Sequence, residues 1–207
     1  MTFDETTDAY YQKFFADTAR TTECLKSAQS QLEAITKALF NAWIGRQQVF
    51  LIGNGGSAST ATHFAADLVK TVVSNMGCPG IAAISLADNI PLASALVNDW
   101  GKGSLFVEQL RTFYAPGDIL IAFSVHGGSG SDKDGAWSQN LLQAIQYVKD
   151  NGGITIGFSG FDGGVMKTMC HHCVVVPAES TPLVESMHVL LAHLITFRLK
   201  ELINQYE

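Results

Sequence analysis

Residues 49–67 read VFLIGNGGSASTATHFAAD, and they predict a strand, a tight turn and a helix in succession. The apolar run at 49–52 is typical of a strand buried on both faces of a sheet. A turn of glycine and small residues that leads into a helix directs free backbone N–H groups at an anion. His63 and Asp67 are spaced to share one face of that helix. The segment therefore combines a candidate phosphate-binding turn with a candidate acid/base or metal-ligand pair.

The rest of the chain alternates between predicted strands and helices. Further strands are predicted at 81–85, 118–123, 154–158 and 173–176, and helices at 58–73, 105–113, 138–150 and 182–204. Residues 8–44 carry apolar positions at helical spacing, which predicts an N-terminal helical hairpin. We interpret this hairpin as an oligomer contact in preference to a surface cover. The alternation favours a parallel sheet whose ligands bind beyond the carboxyl ends of the strands.

Composition and charge narrow the class of protein. The chain of 207 residues has a net charge of −6 and no basic run, which argues against direct nucleic-acid binding. No apolar stretch reaches membrane-spanning length, and the first residues lack the regions of a signal peptide. Four cysteines in so long a chain do not form a disulfide framework. We expect a cytoplasmic protein that folds as a single domain over 1–207, with an N-terminal helical region at about 1–46.

A second strand-to-helix junction follows the predicted strand at 118–123 and reads SVHGGSGS over 124–131. Small and hydroxyl side chains allow close approach of the backbone and donate hydrogen bonds to phosphate oxygens. Neither junction has the Gly-Lys-Ser/Thr ending of the nucleotide P-loop or the glycine spacing of the dinucleotide fingerprint. Each junction alone is equally compatible with a plain tight turn.

Two other groups of residues have metal-binding chemistry. Glu185 and His188 are adjacent on one face of the last predicted helix, whereas His193 lies roughly 12 Å along its axis from Glu185. One ion would reach both ends only through extended side chains, so core histidines are the alternative interpretation. The stretch CHHC at 170–173 has the composition of a metal site, but strand alternation would spread its side chains over opposite faces.

Four motifs in this order resemble the sugar isomerase (SIS) domain family, and within it the bacterial phosphoheptose isomerases. They are GNGGS at 53–57, HFAADL at 63–68, Asn98-Asp99, and TPLVESMH at 181–188. The resemblance covers nearly the whole chain. It implies an α/β fold, a three-layer αβα sandwich with a five-stranded parallel sheet, preceded by N-terminal helices. It also implies a homotetramer with active sites at subunit interfaces.

The resemblance further implies interconversion of sedoheptulose 7-phosphate and D-glycero-D-manno-heptose 7-phosphate. An aldose–ketose isomerase moves a proton between adjacent carbons through an enediol, which requires a base near C1/C2 and an acid near the carbonyl oxygen. The family's base and acid fall on Asp67 and His193, in an unassigned order. Its zinc ligands, for one ion per subunit, fall on His63, Asp67, Glu185 and His193. We expect substrate contacts from Asn54, Gly55, Gly56, Ser57, Asn98, Asp99, Ser124, His126, Ser129, Ser138 and Glu185.

The chain also departs from the family pattern. Asp67 replaces a usual Glu, and Glu185 replaces a usual Gln, which favours metal binding over hydrogen bonding to a sugar. The second family loop, Ser-Thr-Ser-Gly-Asn-Ser, loses two hydroxyls at Val125 and His126. Beginning the next helix at Ser138 makes that residue an N-cap and leaves about 128–137 as an insertion, whose aspartates are expected to face solvent. His126 is open to two interpretations, a phosphate contact or additional acid, and a space-filling side chain.

Three functional hypotheses follow. The first is a phosphosugar isomerase, and it rests on the retained His63/Asp67 and Glu185/His193 pairs. The second is a non-catalytic SIS protein that binds phosphosugars or associates with a replication initiator, and the lost loop hydroxyls favour it. A structural protein on a decayed scaffold is disfavoured by the retained pairs. Thermal stabilisation by zinc and by sugar phosphates discriminates the first two hypotheses from plain protein binding.

Overall fold

A parallel sheet organises the chain in the computed structural model, which describes residues 3–129, 131–132, 135–136 and 138–206, with side chains over 6–129 and 138–206. Its five strands lie in the order β2-β1-β3-β6-β7, and every neighbouring pair is parallel. They are β1 Val49–Gly53, β2 Ala83–Ser85, β3 Ile119–Phe123, β6 Ile154–Gly160 and β7 His172–Val176. A separate antiparallel hairpin pairs β4 Ser131–Asp132 with β5 Gly135–Ala136.

Helices connect the strands and precede them. They are α1 Phe3–Cys24, α2 Gln29–Gly45, α3 Gly56–Ala66, α4 Ile90–Trp100, α5 Ser104–Phe113, α6 Gln139–Asp150, α7 Met166–Met169 and α8 Thr181–Tyr206. A 3₁₀ turn at Leu25–Ala28 joins α1 to α2, and a π-helical turn at Asp67–Thr71 extends α3. Within the described ranges, no helix is both long enough and apolar enough to cross a lipid bilayer.

Each face of the sheet carries its own apolar cluster, because successive strand side chains point to opposite faces. Val49 and Leu51 of β1 join the cluster beneath α2, α3 and α8, whereas Phe50 and Ile52 join the cluster beneath α5 and α6. All five positions of β1 and of β3 are buried. The continuous apolar runs in the sequence therefore correspond to strands covered on both faces, and the predicted three-layer αβα sandwich is confirmed.

The predicted strands and the long helices of the α/β region are all present, with ends shifted by a few residues. Helix α4 was not predicted, although Asn89 accepts a hydrogen bond from the backbone N–H of Leu92 (3.1 Å) and Pro91 occupies the first turn. The hairpin of β4 and β5 lies within the insertion predicted at about 128–137. The side chains of Asp132 and Asp134, expected to face solvent, lie outside the described residues.

The expected N-terminal hairpin is wrong in its packing. Among the described side chains of α1, only that of Thr21 is buried, so α1 does not fold back on the domain as one arm of a hairpin. Its end is attached through the Thr22 hydroxyl, 3.8 Å from Met187 Sδ. Tyr10, Tyr11 and Phe15 are 63%, 54% and 67% exposed. The helical period was correct, but the spacing of apolar residues does not specify what they pack against.

Candidate active site

The turn between β1 and α3 consists largely of glycine, so its backbone is exposed toward the neighbouring Glu185 side chain. Gly55 has a φ of +58°, a conformation that favours glycine, and α3 begins at the next residue. A Cβ at Gly56 would lie 2.5 Å from Glu185 Oε1, so a larger residue there would displace that carboxylate from its position. The first turn of α3 therefore presents bare backbone beside the Glu185 side chain of α8.

A small cavity lies where the two glycine-rich loops meet, at the carboxyl ends of β1 and β3. Its volume is about 310 Å³. The residues that line it are Asn54, Ser57, Phe123, Ser124, Val125, His126, Ser138, Leu141 and Glu185. Six predicted substrate-contact residues are among them: Asn54, Ser57, Ser124, His126, Ser138 and Glu185. We call this cavity the loop pocket.

Two asparagines fasten the loops around this pocket to each other. Asn54 Nδ2 donates to Asn140 Oδ1 (3.1 Å), and Asn140 Nδ2 donates back to Asn54 Oδ1 (2.8 Å). Asn140 is buried in the first turn of α6, so its amide depends on this pairing. Asn140 was not among the predicted site residues. Its position two residues after the predicted N-cap carried no signal of a contact with Asn54.

A second cluster joins α3 to α8. His63 Nε2 lies 2.8 Å from His193 Nε2, and Asp67 Oδ2 lies 3.4 Å from His63 Nε2 and 3.7 Å from His193 Nε2. The two rings meet edge to face with centroids 4.9 Å apart. The π-helical turn starts at Asp67, where the Thr71 hydroxyl donates to Asp67 Oδ1 (2.8 Å). Turns of this kind are frequent at functional sites.

The donor atoms of this cluster suit a metal ion. Asp67 Oδ2 is buried and accepts no hydrogen bond from the described residues, which is costly for a carboxylate oxygen. One ligating atom each from His63, Asp67 and His193 lies within 4.8 Å of the others. Two imidazoles and a carboxylate are ligands that zinc prefers. A cation among them would satisfy the unpaired oxygen.

The other predicted site residues lie apart from this cluster. Glu185, predicted as a fourth metal ligand, is not in the group of three and instead lies against Gly56 at the loop pocket. Asn98 and Asp99 are exposed at the end of α4, where Asn98 Nδ2 donates to Asp99 Oδ1 (2.7 Å), and neither lines the loop pocket. Ser129 lies in a turn, with its N–H donating to the carbonyl of His126 (3.1 Å).

Ser138 occupies the N-cap position of α6, as predicted, but its backbone is left-handed, with φ +56°. Its side chain makes no capping bond; the carbonyl accepts hydrogen bonds from Leu141 N–H (2.9 Å) and Leu142 N–H (3.1 Å). The Ser138 hydroxyl is therefore not committed to the helix end that it precedes.

His188 and His193 of α8 take different roles. His188 is fully buried, with Nε2 3.2 Å from the carbonyl of Ser159 and with no partner for Nδ1 in the part of the chain that the structure describes. Burial lowers the pKa of His188 to about 4, so this imidazole is neutral at physiological pH. His193 is 46% exposed and faces His63. The core-histidine interpretation therefore holds for His188 and not for His193.

Comparison with known proteins identifies the class to which this fold and site belong. The SIS domain family model matches residues 13–160, and the chain belongs to that family. Phosphoheptose isomerase 2 of Campylobacter jejuni is 31% identical over 194 residues, 92% of this chain and 91% of that relative. The lincomycin biosynthesis protein LmbN of Streptomyces lincolnensis is 36% identical over 200 residues, 93% of this chain and 70% of that relative.

A solved structure shares the same architecture. The phosphoheptose isomerase of Neisseria gonorrhoeae superposes with a TM-score of 0.82, covering 97% of this chain and 100% of that chain at 24% identity. At this identity the likeness establishes the fold, including the five-stranded parallel sheet and the N-terminal helices.

Proposed function

We propose that the chain is an aldose–ketose isomerase that interconverts sedoheptulose 7-phosphate and D-glycero-D-manno-heptose 7-phosphate. Similarity to a named phosphoheptose isomerase over nine-tenths of both chains supports this activity. The observation that carries the proposal is the cluster of His63, Asp67 and His193, in which Asp67 Oδ2 has no hydrogen-bond partner. An unpaired buried carboxylate oxygen beside two imidazoles is an arrangement that can move protons or bind a cation.

The loop pocket would bind the phosphate end of the sugar. The backbone of Gly55 and Gly56 opens α3, where N–H groups favour an anion. The hydroxyls of Ser57, Ser124 and Ser138 line the same pocket and are neutral donors to phosphate oxygens. Binding the remote phosphate would hold the reacting carbons in place for proton transfer.

Asp67 and His193 would transfer protons to and from the reacting carbons and the carbonyl oxygen of the sugar. His63 lies seven positions after Gly56 on α3, roughly 10 Å along the helix axis. An extended sugar phosphate therefore has its phosphate at one end of α3 and its carbonyl end near the other. Asp67 Oδ2 and His193 Nε2 are 3.7 Å apart, close enough for one to remove a proton from carbon while the other donates to the carbonyl oxygen.

The proposal includes one zinc ion per subunit. His63, Asp67 and His193 would hold it, joined by Glu185 if that side chain turns from Gly56 toward the cluster. When bound, zinc acts as a Lewis acid that polarises a carbonyl oxygen. The residues themselves position the sugar, and Asp67 or His193 would hold the transferred proton on an atom that is not bound to the ion at that moment.

The proposal also includes a cytoplasmic homotetramer with sites at subunit interfaces. An apolar groove of about 800 Å³ between α2 and α8 is lined by Leu32, Phe40, Leu190 and Leu194, among others, and supports association. Asn98 and Asp99 are exposed and do not line this chain's own loop pocket, which is the arrangement expected if they reach a neighbouring subunit's site. All four cysteines are free, which is consistent with a reducing compartment.

A phosphosugar-binding protein without turnover is the second candidate. The observation that favours it is the second loop, where Val125 and His126 line the pocket in place of two hydroxyl residues. This candidate uses the loop pocket but not the proton transfer at Asp67 and His193.

A turnover assay against a panel of ketose phosphates, with added zinc and after chelation, tests the proposal. We expect conversion of sedoheptulose 7-phosphate, lost on chelation and restored by zinc. If sugar phosphates raise the thermal stability of the protein but none of them is converted, the isomerase hypothesis is rejected in favour of the phosphosugar-binding protein.

A further inference from the structure

Phe161 has an unusual backbone for its residue type. Its φ is +54°, in the left-handed region that bulky side chains rarely adopt. It follows directly after β6, and its N–H donates to the carbonyl of Ala178 (3.2 Å). Its ring packs against the apolar cluster beneath α2, α3 and α8. Strained backbone of this kind persists where the surroundings fix it, and it concentrates at ligand-binding sites.

The Phe161 ring also contacts a wall of the loop pocket. It lies against the imidazole of His126, with ring centroids 4.3 Å apart and planes inclined by 42°. His126 lines the loop pocket beside Ser124 and Ser138. Phe161 itself does not line that pocket, and its ring reaches the pocket wall through the contact with His126.

Backbone hydrogen bonds join the loop after β3 to the loop after β6 on both sides of this ring contact. Gly160 N–H donates to the carbonyl of Val125 (2.9 Å), and Met166 N–H donates to the carbonyl of Gly127 (2.9 Å). A Cβ at Gly164 would come within 2.3 Å of the carbonyl oxygen of His126. The loop after β6 therefore fixes the backbone of the loop after β3, and Phe161 contacts the side chain that this backbone presents.

We infer that Phe161 is a positioning residue that holds the His126 imidazole against the loop pocket and so sets the affinity for a phosphorylated sugar. Glycine or asparagine would adopt this left-handed backbone at lower cost, but neither would supply an aromatic face to His126. The imidazole is a nitrogen donor or acceptor for a phosphate oxygen or a sugar hydroxyl, in a loop where Val125 offers none. The inference rests on the proposed function, whose phosphate end it concerns.

Three variants distinguish the effect of the Phe161 ring from the effect of its left-handed backbone. Phe161→Asn keeps a residue type that tolerates the left-handed conformation and removes the ring. We expect this variant to raise the KM for sedoheptulose 7-phosphate about tenfold and to change kcat by less than about twofold. Phe161→Tyr keeps the ring and should behave like the parent protein. Phe161→Gly removes the ring without backbone strain and repeats the test if the asparagine variant does not fold.

A double-mutant cycle decides whether the ring acts through His126. In a His126→Ala background, Phe161→Asn should add no further increase in KM, because the group that it positions is absent. Effects that multiply in the double variant would overturn the inference, as would an unchanged KM in both ring-removing variants. Thermal unfolding of each variant gives the fold control.

Calorimetric titration with sedoheptulose 7-phosphate and with inorganic phosphate keeps this inference separate from the proposed function. If the parent protein binds these ligands without turnover, the isomerase activity is rejected. The same double-mutant cycle of Phe161 and His126, measured on Kd, would then test the role of Phe161. Coupled losses of affinity would support the positioning role. Independent losses, or a parent that binds neither ligand, would overturn it.

Discussion

At the scale of single residues, the amide pair of Asn54 and Asn140 makes the sharpest prediction about the loop pocket. Asn140→Ala leaves the amide nitrogen and the amide oxygen of Asn54 without their partners and removes the contact between the first loop and α6. We expect the KM for the sugar phosphate to rise about tenfold and the free energy of unfolding to fall by about 1–3 kcal/mol. Steady-state kinetics and urea unfolding measure the two effects.

Gln146→Ala is the matched control for the asparagine pair. It removes an amide from an exposed position of the same helix, where Gln146 Nε2 donates to Asp150 Oδ1 (2.6 Å). It should leave the KM unchanged. Equal KM changes in the two variants would show that the loss of any side-chain amide from α6, and not the loss of the Asn54 contact, weakens substrate binding.

His188 predicts a pH dependence of stability. In the folded chain burial lowers the pKa of His188 from its ordinary value of 6.5 to about 4. Between these values the unfolded state binds more protons, so the unfolding free energy falls by about 1.4 kcal/mol per pH unit as the pH drops. This contribution is fully present above pH 6.5 and is lost as the pH approaches 4.

The measurement is urea unfolding of the parent and of His188→Gln between about pH 7 and pH 5. The glutamine amide can donate to the carbonyl of Ser159 but does not titrate. We expect the variant to be less stable at neutral pH and to have a shallower pH slope. Parallel slopes for the two proteins would refute the assignment of this dependence to His188.

At the scale of elements, the π-helical turn at the end of α3 positions Asp67. Thr71 is the residue of that turn whose hydroxyl donates to Asp67 Oδ1 (2.8 Å). Thr71→Ala should weaken zinc binding by about tenfold and lower kcat, because groups that orient a ligand typically contribute this much. Thr71→Ser should restore both. Competition with a chelator measures the zinc affinity.

Thr112→Ala is the control for this turn, because it removes a hydroxyl that bonds only to its own helix, at the carbonyl of Glu108 (3.3 Å). It should leave zinc affinity and kcat unchanged. A Thr71→Ala variant with unaltered zinc affinity would show that Asp67 holds its orientation without the turn.

The elements also show how far sequence patterns extend. Strand β1 was predictable because burial on both faces gives an unbroken apolar run, and α3 because its turn residues have a specific backbone role. Helix α4 was missed because its side chains are mostly exposed and it follows the short β2, although Asn89 and Pro91 mark its start. The left-handed backbone of Phe161 had no sequence signal, because the residue type argues against it.

For the candidate site, the contacts within one helix could be predicted from the sequence, but the contacts between elements could not. Spacing on one helix placed His63 with Asp67, but only the packing of α3 on α8 brings His193 within 2.8 Å of His63. The amide pair of Asn54 and Asn140 joins residues that are 86 positions apart, and no local pattern reports such a contact. The resemblance implied that Glu185 and His193 share one zinc ion, but in the structure Glu185 lies against Gly56.

At the scale of the whole molecule, the apolar groove between α2 and α8 predicts assembly. Leu190 and Leu194 of that groove are 41% and 52% exposed. If this face is buried between the subunits of the proposed tetramer, Leu194→Glu places a charge in the interface and should give smaller species in light scattering. Met76→Glu, at a fully exposed position outside the groove, should leave the mass unchanged. A tetramer that persists in Leu194→Glu would exclude this groove from the interface.

The central claim is that Asp67 and His193 exchange a proton with a heptose phosphate. The most direct measurement is the turnover of sedoheptulose 7-phosphate in deuterated water by the parent, Asp67→Asn and His193→Ala, with the fold of each checked by thermal unfolding. The account predicts that the parent forms the aldose with deuterium at C2, and that each folded variant loses turnover by about a hundredfold or more. Full turnover in both variants would contradict it.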